Sequence, residues 1–304
     1  MRIELSSLID FTGSGSNFIS AMKSALVLAV SSLLLVSAMM PTALAASKSN
    51  RIRISYEEPK NPEHIRLIAG FKERRTLERL QEFLSPFSLP RRLTIKLAGC
   101  DGEADAFYGD REITVCYEYV QVLFDNAPAE TTPSGIEPID TIIGPLIDTG
   151  LHEFAHALFD MLDIPVLGRE EDAADQVSAY IYLQLGVAES RRLIAGTAYA
   201  FLQEASSAEL PMKLEDYADE HSTPEQRAYN VLCMAYGADP KLFGGVVGEK
   251  RGFLPKYRAE TCEEEYEQVQ DAYEELIEPH VDQALARKIF DREWLNQKTL
   301  KKQR

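Results

Sequence analysis

Two short motifs restrict how this chain can fold. Residues 151–156 read Leu-His-Glu-Phe-Ala-His and contain H-E-x-x-H, and residues 171–175 read Glu-Asp-Ala-Ala-Asp, an E-x-x-A-D motif. Positions four residues apart lie on one face of an α-helix, so each motif brings its two ends together only on a helix. The segment between His156 and Glu171 must then turn to connect two neighbouring helices.

Apolar periodicity predicts the first of these helices. Apolar side chains recur at spacings of three and four, as in an amphipathic helix. They are Ile143, Ile147, Leu151, Phe154, Leu158 and Met161. Pro145 suits the first turn of the helix, and the sequence Asp163-Ile164-Pro165 predicts its end.

The H-E-x-x-H motif predicts metal chemistry. His152 and His156 can each present a ring nitrogen to one metal ion from the same helix face. Glu153 lies beside them, where a carboxylate can take a proton from a water molecule attacking a carbonyl and pass it to the leaving amine. A chance match is the alternative, and it is disfavoured because the chain holds only five histidines.

A catalytic zinc site needs a third protein ligand and an open position. A second helix is marked by Ala174, Val177, Ile181 and Leu185. On this helix we predict Glu171 as the ligand, because Asp175 lies one turn further on the same face. From there Asp175 can bond the outer nitrogen of a zinc-bound histidine and fix its tautomer. Alternatively, the acidic residues 170–172 simply stabilise the start of a helix.

The pair of motifs resembles that of the gluzincin metallopeptidases, and the E-x-x-A-D form is similar to that of membrane-embedded prenyl-protein peptidases and their bacterial relatives. Residues 105–110, followed by 112–115, resemble the N-A-F/W-W edge strand of thermolysin-like enzymes. The resemblance implies that this strand lines the cleft and pairs its backbone with an extended peptide. Asp105 replaces the usual Asn, whereas the backbone groups of Ala106 are still expected to pair with substrate.

A longer stretch, residues 100–266, resembles a bacterial family of metallopeptidases of unknown function. The resemblance rests on residues 106–108, 113–118, 151–153, 168–175, 221, 226–227, 230–233 and 254–255. It implies zinc and peptidase activity but no particular substrate. Thermolysin-like enzymes also place a histidine downstream to stabilise the oxyanion, which implies that role for His221 beside Asp219. Alternatively, His221 is an ordinary surface histidine, as is expected for His64 and His280.

The start of the chain predicts export. Met22-Lys23 precedes an apolar stretch over residues 25–40, and Ala43-Leu44-Ala45 follows it. This is the pattern of a secretory signal, with cleavage expected after Ala45 or Ala46 and Met22 as a candidate initiator. We therefore expect residues 1–45 to be a leader and signal peptide, and the protein to be periplasmic or secreted. An uncleaved membrane anchor is the alternative.

The four cysteines, Cys100, Cys116, Cys233 and Cys262, all follow the signal segment. An even number in an exported protein predicts disulfides, and four cysteines allow three connectivities. The pairing Cys100–Cys116 would fasten the edge-strand hairpin, and Cys233–Cys262 would join two parts of the helical region. Free buried thiols are the alternative.

These patterns predict an α+β fold of the zincin-like class. Its domain, residues 46–304, would comprise a mixed α+β lobe (46–165) with the edge strand and active-site helix, and an all-α lobe (166–304). Within the first lobe we predict a helix over residues 65–84, a strand over Leu93–Ala98, a hairpin through Val115 and an exposed loop over 126–138. Nearly everything beyond residue 172 is predicted to be helical.

The predicted function is an exported metallopeptidase that binds one zinc ion per chain and hydrolyses peptides or proteins. A net charge of −16 argues against a nucleic-acid partner, which would require basic patches. Membrane association is expected only if the signal segment stays uncleaved. The alternative is a non-catalytic, zinc-stabilised binding or scaffolding protein of the cell envelope. Glu153 argues against it, because a purely structural site needs no general base.

Overall fold

A four-stranded mixed sheet forms the first part of the fold. The computed structural model describes residues 50–207, 213, 217–249 and 253–295, so the predicted signal segment lies outside the described residues. The strands are β1 (Ile52–Tyr56), β2 (Leu93–Ala98), β3 (Ala106–Gly109) and β4 (Glu112–Cys116). Their order is β1-β2-β4-β3, with β3 antiparallel to β4 and the other pairs parallel. As predicted, β3 is an edge strand.

Side-chain alternation explains why β2 lies inside this sheet. Leu93, Ile95 and Leu97 are buried, whereas the intervening Thr94 and Lys96 are only partly covered. Successive strand residues point to opposite faces, so the apolar set packs into the core. The predicted strand over Leu93–Ala98 has the bounds found in the structure.

The region before β2 holds two helices, α1 (Ile65–Glu73) and α2 (Thr76–Phe83), so the prediction of one helix over 65–84 is wrong. The helix is interrupted at Arg75, whose φ of 52° lies in the left-handed region. Phe71 and Leu77, the apolar residues on either side, are six positions apart with only polar residues between them, so the three-to-four spacing is interrupted at the break. The prediction that His64 lies on the surface is also wrong, because its side chain is buried. Its ring centroid lies 5.6 Å from that of Tyr117. Helix α3 (Tyr117–Asp125) follows β4.

Helix α4 (Asp140–Met161) lies at the centre of the molecule. It begins at Asp140, so Pro145 lies inside the helix and not in its first turn as predicted. Pro145 has no N–H, and the carbonyl one turn earlier therefore lacks its helical bond. A close approach of α4 to another helix occurs nearby, where a Cβ on Gly196 would lie 2.0 Å from the Asp140 carbonyl oxygen.

The remaining chain is mostly helical, as predicted. Its helices are α5 (Glu170–Leu183), α6 (Val187–Ser207), α7 (Pro224–Ala238), α8 (Pro240–Phe243), α9 (Lys256–Ala259), α10 (Cys262–Leu276) and α11 (Gln283–Phe290). Helix α4 packs against α5 and α6, and α7 contacts α5, α6 and α10. The fold is therefore α+β, a mixed sheet followed by a mostly helical region. Within the described ranges, no helix has the length and apolar character needed to cross a membrane.

Both local cysteine pairings are present as disulfides. Cys100–Cys116 joins the loop after β2 to the end of β4, beside the edge-strand hairpin. Cys233–Cys262 joins α7 to the first residue of α10. Such bonds persist in oxidising compartments, which agrees with the predicted export.

Candidate metal centre

Helices α4 and α5 bring three potential metal ligands together. Nε2 of His152 lies 2.9 Å from Oε2 of Glu171, and Nε2 of His156 lies 3.3 Å from the same oxygen. The two Nε2 atoms are 3.2 Å apart. All three donor atoms lie within 4.8 Å of one another, so they can face a single ion. The i, i+4 spacing on α4 accounts for the histidine pair, and the turn into α5 delivers the carboxylate.

Carboxylates hold the outer nitrogens of both histidines. Nδ1 of His152 lies 2.8 Å from Oδ1 of Asp175, and Nδ1 of His156 lies 2.8 Å from Oε1 of Glu170. These contacts turn both Nε2 atoms toward Glu171. Metal-ligating histidines commonly show this arrangement, in which a carboxylate fixes the tautomer and raises ligand basicity. The donor set therefore fits a bound metal ion.

Asp175 is itself held by a partly buried arginine, Arg227, whose side chain is 18% exposed. Nε and Nη2 of Arg227 donate to its two carboxylate oxygens at 2.8 and 2.7 Å. Burial raises the pKa of Asp175, but the hydrogen bonds from His152 and Arg227 outweigh this effect and bring it to about 2. The guanidinium also stacks over the Phe201 ring at 4.4 Å. Asp175 thus stays ionised and fixed in place.

Hydrogen bonds between the histidines and Glu171 shift the pKa values of both partners. Hydrogen bonds from His152, His156 and His221 hold the pKa of Glu171 well below its usual range. Burial lowers the pKa of His152, but its bonds to Asp175 and Glu171 raise it to about 10 overall. The cluster therefore attracts positive charge, which a metal cation would supply in place of protons. Metal binding to such a site releases protons.

Glu153 faces the same site from α4. Burial raises the pKa of Glu153 to about 7, against the opposing influence of His152 and His156. The charge of Asp105, just before β3, also acts on it, so the edge strand begins close to this carboxylate. Glu153 has no hydrogen-bond partner among the residues that the structure describes. Its carboxylate is available to a water molecule.

The structure also brings His221 to the site. Its Nε2 lies 2.9 Å from Oε2 of Glu171, and its ring stacks on His152 with centroids 6.0 Å apart. Oδ1 of Asp219 lies 3.3 Å from Nδ1 of His221 and accepts the His221 backbone N–H at 2.8 Å. Arg169 donates to the Asp219 carbonyl and so anchors this loop to the start of α5.

The edge strand presents part of its backbone outward. The Cys116 N–H donates to the Asp105 carbonyl at 3.0 Å, so these two residues form a hydrogen-bonded pair. Antiparallel ladders alternate, which leaves the backbone groups of Ala106 and Tyr108 directed away from β4. The Ala106 N–H instead bonds Oδ1 of Asp105 at 2.8 Å. The Asp105 carboxylate thus occupies the outward-facing N–H of Ala106, near Glu153.

Sequence reasoning assigned no role to Arg227, Glu170 or Asp148. Arg227 lies 52 residues beyond Asp175, and no local pattern links the two. Asp148 is buried one turn before His152 and accepts a hydrogen bond from Ser178 at 3.0 Å. Burial and the nearby Asp175 raise the pKa of Asp148 to about 6. Its position four residues before His152 was a usable signal, because it shares that helix face.

Two histidines held by outer carboxylates, together with Glu171, define a protein with a candidate metal-binding site in an α+β fold. Residues 56–277 match the model of the family described as "Putative metallopeptidase". The match covers most of the chain, which therefore belongs to this family. Searches of curated proteins and of solved structures give no match.

Proposed function

We propose that this chain is an exported zinc peptidase in which His152, His156 and Glu171 hold the metal. The observation that carries the proposal is the convergence of their three donor atoms within 4.8 Å. Catalytic zinc sites use three protein ligands of this kind and keep one position open. Imidazole nitrogen also favours zinc over magnesium or calcium, which prefer oxygen ligands.

Glu153 is the proposed general base. A bound zinc ion would supply a Lewis acid and lower the pKa of water to about 7. Glu153 would accept the proton of the attacking water and then donate it to the leaving amine. Its own pKa of about 7, raised by burial, suits proton transfer near neutrality.

The neighbouring residues have proposed roles in support. Asp175 orients His152, and Arg227 keeps Asp175 ionised. His221, oriented by Asp219, is the proposed donor to the oxyanion that develops on the scissile carbonyl. The half-exposed position of its imidazole leaves it accessible to a substrate.

Substrates are proposed to be peptides or proteins that bind along β3. An extended peptide can add to an exposed sheet edge through main-chain hydrogen bonds. The outward groups of Ala106 are placed for this pairing, and a substrate carbonyl would displace the Asp105 carboxylate from the Ala106 N–H. The proposed architecture is zincin-like, with lobes 46–165 and 166–304 bordering a cleft beside α4.

Hydrolysis by the zinc-loaded chain tests the proposal. A diverse peptide library is incubated with wild type and Glu153→Gln, and the products are identified by mass spectrometry. Wild type should cleave peptides, whereas the variant should retain zinc and lose turnover by about 10²-fold or more. Absence of wild-type cleavage would instead favour a non-catalytic zinc protein. Equal cleavage by both proteins would refute the role of Glu153.

A further inference from the structure

A cleft at the far end of the edge strand carries two arginines. Its volume is about 590 Å³, and its lining is formed by Arg91, Tyr108, Gly109, Asp110, Arg111 and Asp160. The Tyr108 hydroxyl donates to Oδ2 of Asp160 at 2.6 Å and so joins β3 to α4 beside the cleft. Arg91 comes from the loop before β2, and Arg111 from the two-residue turn between β3 and β4.

The cleft lies within reach of a peptide bound at the candidate metal centre. Asp160 follows His156 by four residues on the same face of α4, a rise of about 6 Å. Tyr108 follows Ala106 by two residues on β3, about 7 Å along the strand. The cleft therefore lies about 6 Å along α4 from His156 and about 7 Å along β3 from Ala106, and each length corresponds to about two residues of extended peptide. A peptide paired with β3 at Ala106 would therefore reach the arginines.

The two guanidinium groups are available for an anion. In the part of the chain that the structure describes, neither Arg91 nor Arg111 forms an ion pair with a carboxylate. The nearest acidic group of α4, Asp160, is engaged by the Tyr108 hydroxyl. Arginine presents a planar fork of donors that matches a carboxylate. Asp110 and Asp160 line the same cleft and offset the two positive charges, so the forks would hold a carboxylate through their paired N–H donors and not through a net positive charge.

The turn that presents Arg111 adopts a costly backbone conformation. Asp110 and Arg111 have φ angles of 50° and 64°, both left-handed. Two-residue hairpin turns of this kind favour Asn-Gly, because side chains are disfavoured at positive φ. The position would suit glycine better, so the presence of arginine would be explained if its side chain were needed in the cleft.

We propose that this arginine cleft binds a carboxylate of the substrate, about two residues from the cleaved bond. The carboxylate would belong either to an acidic side chain or to the C-terminus of the peptide. The inference rests on the proposed peptidase function and adds a substrate class to it: peptides with a negative charge at a fixed distance from the cleavage site.

The test compares cleavage-site profiles of the zinc-loaded full chain. The substrates are two random peptide libraries, one with free C-termini and one with amidated C-termini. The proteins are wild type, Arg91→Ala/Arg111→Ala, and a control pair, Arg66→Ala/Arg74→Ala, which removes the same charge from exposed positions on α1 and directly after it. Zinc content of each protein is measured in parallel, because an unfolded variant would lose the metal.

Wild type and the control pair should cleave carboxylate-bearing peptides about tenfold faster than neutral ones, and the cleft variant should lose this preference. It should keep its zinc and its rate on neutral peptides. A preference for Asp or Glu that survives amidation assigns the cleft to side chains, and one abolished by amidation assigns it to the C-terminus. Cleavage without such a preference, or with the preference intact in the cleft variant, would overturn the inference alone. No cleavage by wild type would overturn the proposed function and this inference with it.

Discussion

The carboxylate of Asp175 holds Nδ1 of His152 at 2.8 Å, 23 residues away in sequence and one helix away in space. The same carboxylate accepts hydrogen bonds from Nε and Nη2 of the partly buried Arg227. The orientation of a candidate metal ligand therefore depends on α7 as well as on α4 and α5. Because His152 and Asp175 are buried and Arg227 is largely covered, we expect changes in α7 packing to alter the position of His152.

Asp175→Asn should weaken zinc binding by about 10–100-fold, because the amide no longer fixes the His152 tautomer or balances Arg227. It should also destabilise the metal-free protein by about 3 kcal/mol, since the largely covered Arg227 loses its counter-charge. Chelator competition and denaturant unfolding measure the two effects. Asp125→Asn, at an exposed position at the end of α3, is the matched control. Wild-type zinc affinity in Asp175→Asn would contradict this account of the site.

Glu170→Gln should have a smaller effect. Glu170 bonds Nδ1 of His156 at 2.8 Å, but its side chain is 54% exposed, so water can replace the contact. We expect a loss of zinc affinity below about tenfold, and stability within about 0.5 kcal/mol of wild type. The same chelator competition compares the zinc affinity of Glu170→Gln with that of Asp175→Asn. A larger loss than in Asp175→Asn would show that His156 depends more on its outer carboxylate than His152 does.

Gly196→Ala should disrupt the packing of α6 on α4. The added Cβ would lie 2.0 Å from the Asp140 carbonyl oxygen, so the backbones must separate. We expect a destabilisation of about 3 kcal/mol or more, measured by denaturant unfolding. Gly186→Ala is the control, because its Cβ would meet nothing within 4 Å. Equal stability of the two variants would mean that α4 and α6 are not so closely packed.

Removing the Cys233–Cys262 disulfide should reduce stability more than it affects the site. The bond joins α7 to α10, and loss of a native disulfide typically costs about 2–5 kcal/mol. Cys233→Ala/Cys262→Ala should unfold at lower denaturant concentration yet bind zinc normally at low temperature. Cys100→Ala/Cys116→Ala should in addition reduce peptide cleavage, since that bond lies beside the edge strand. Similar cleavage by both variants would argue against substrate binding at β3.

Features set by local periodicity could be predicted from the sequence. Helical spacing brings His152 and His156 together, and strand alternation fixes β2, because both depend on residues close in the chain. The contact of Glu171 with these histidines followed from a second helix and the requirement for a third ligand. The Arg227–Asp175 pair depends on how α7 packs on α5, which no local pattern encodes. The break at Arg75 falls in the polar run 72–76, so the interrupted apolar spacing was a local signal that the prediction of one helix overlooked.

The metal content of the purified protein tests whether His152, His156 and Glu171 bind a zinc ion. The purified, oxidised chain is dialysed against metal-free buffer, and its bound metals are measured by mass spectrometry, beside Glu171→Ala and the exposed control Glu263→Ala. We expect about one zinc per chain in wild type and in the control, and little in Glu171→Ala, because three protein ligands are needed to hold the ion. An absence of metal from wild type, even after zinc is added, would contradict the proposed site.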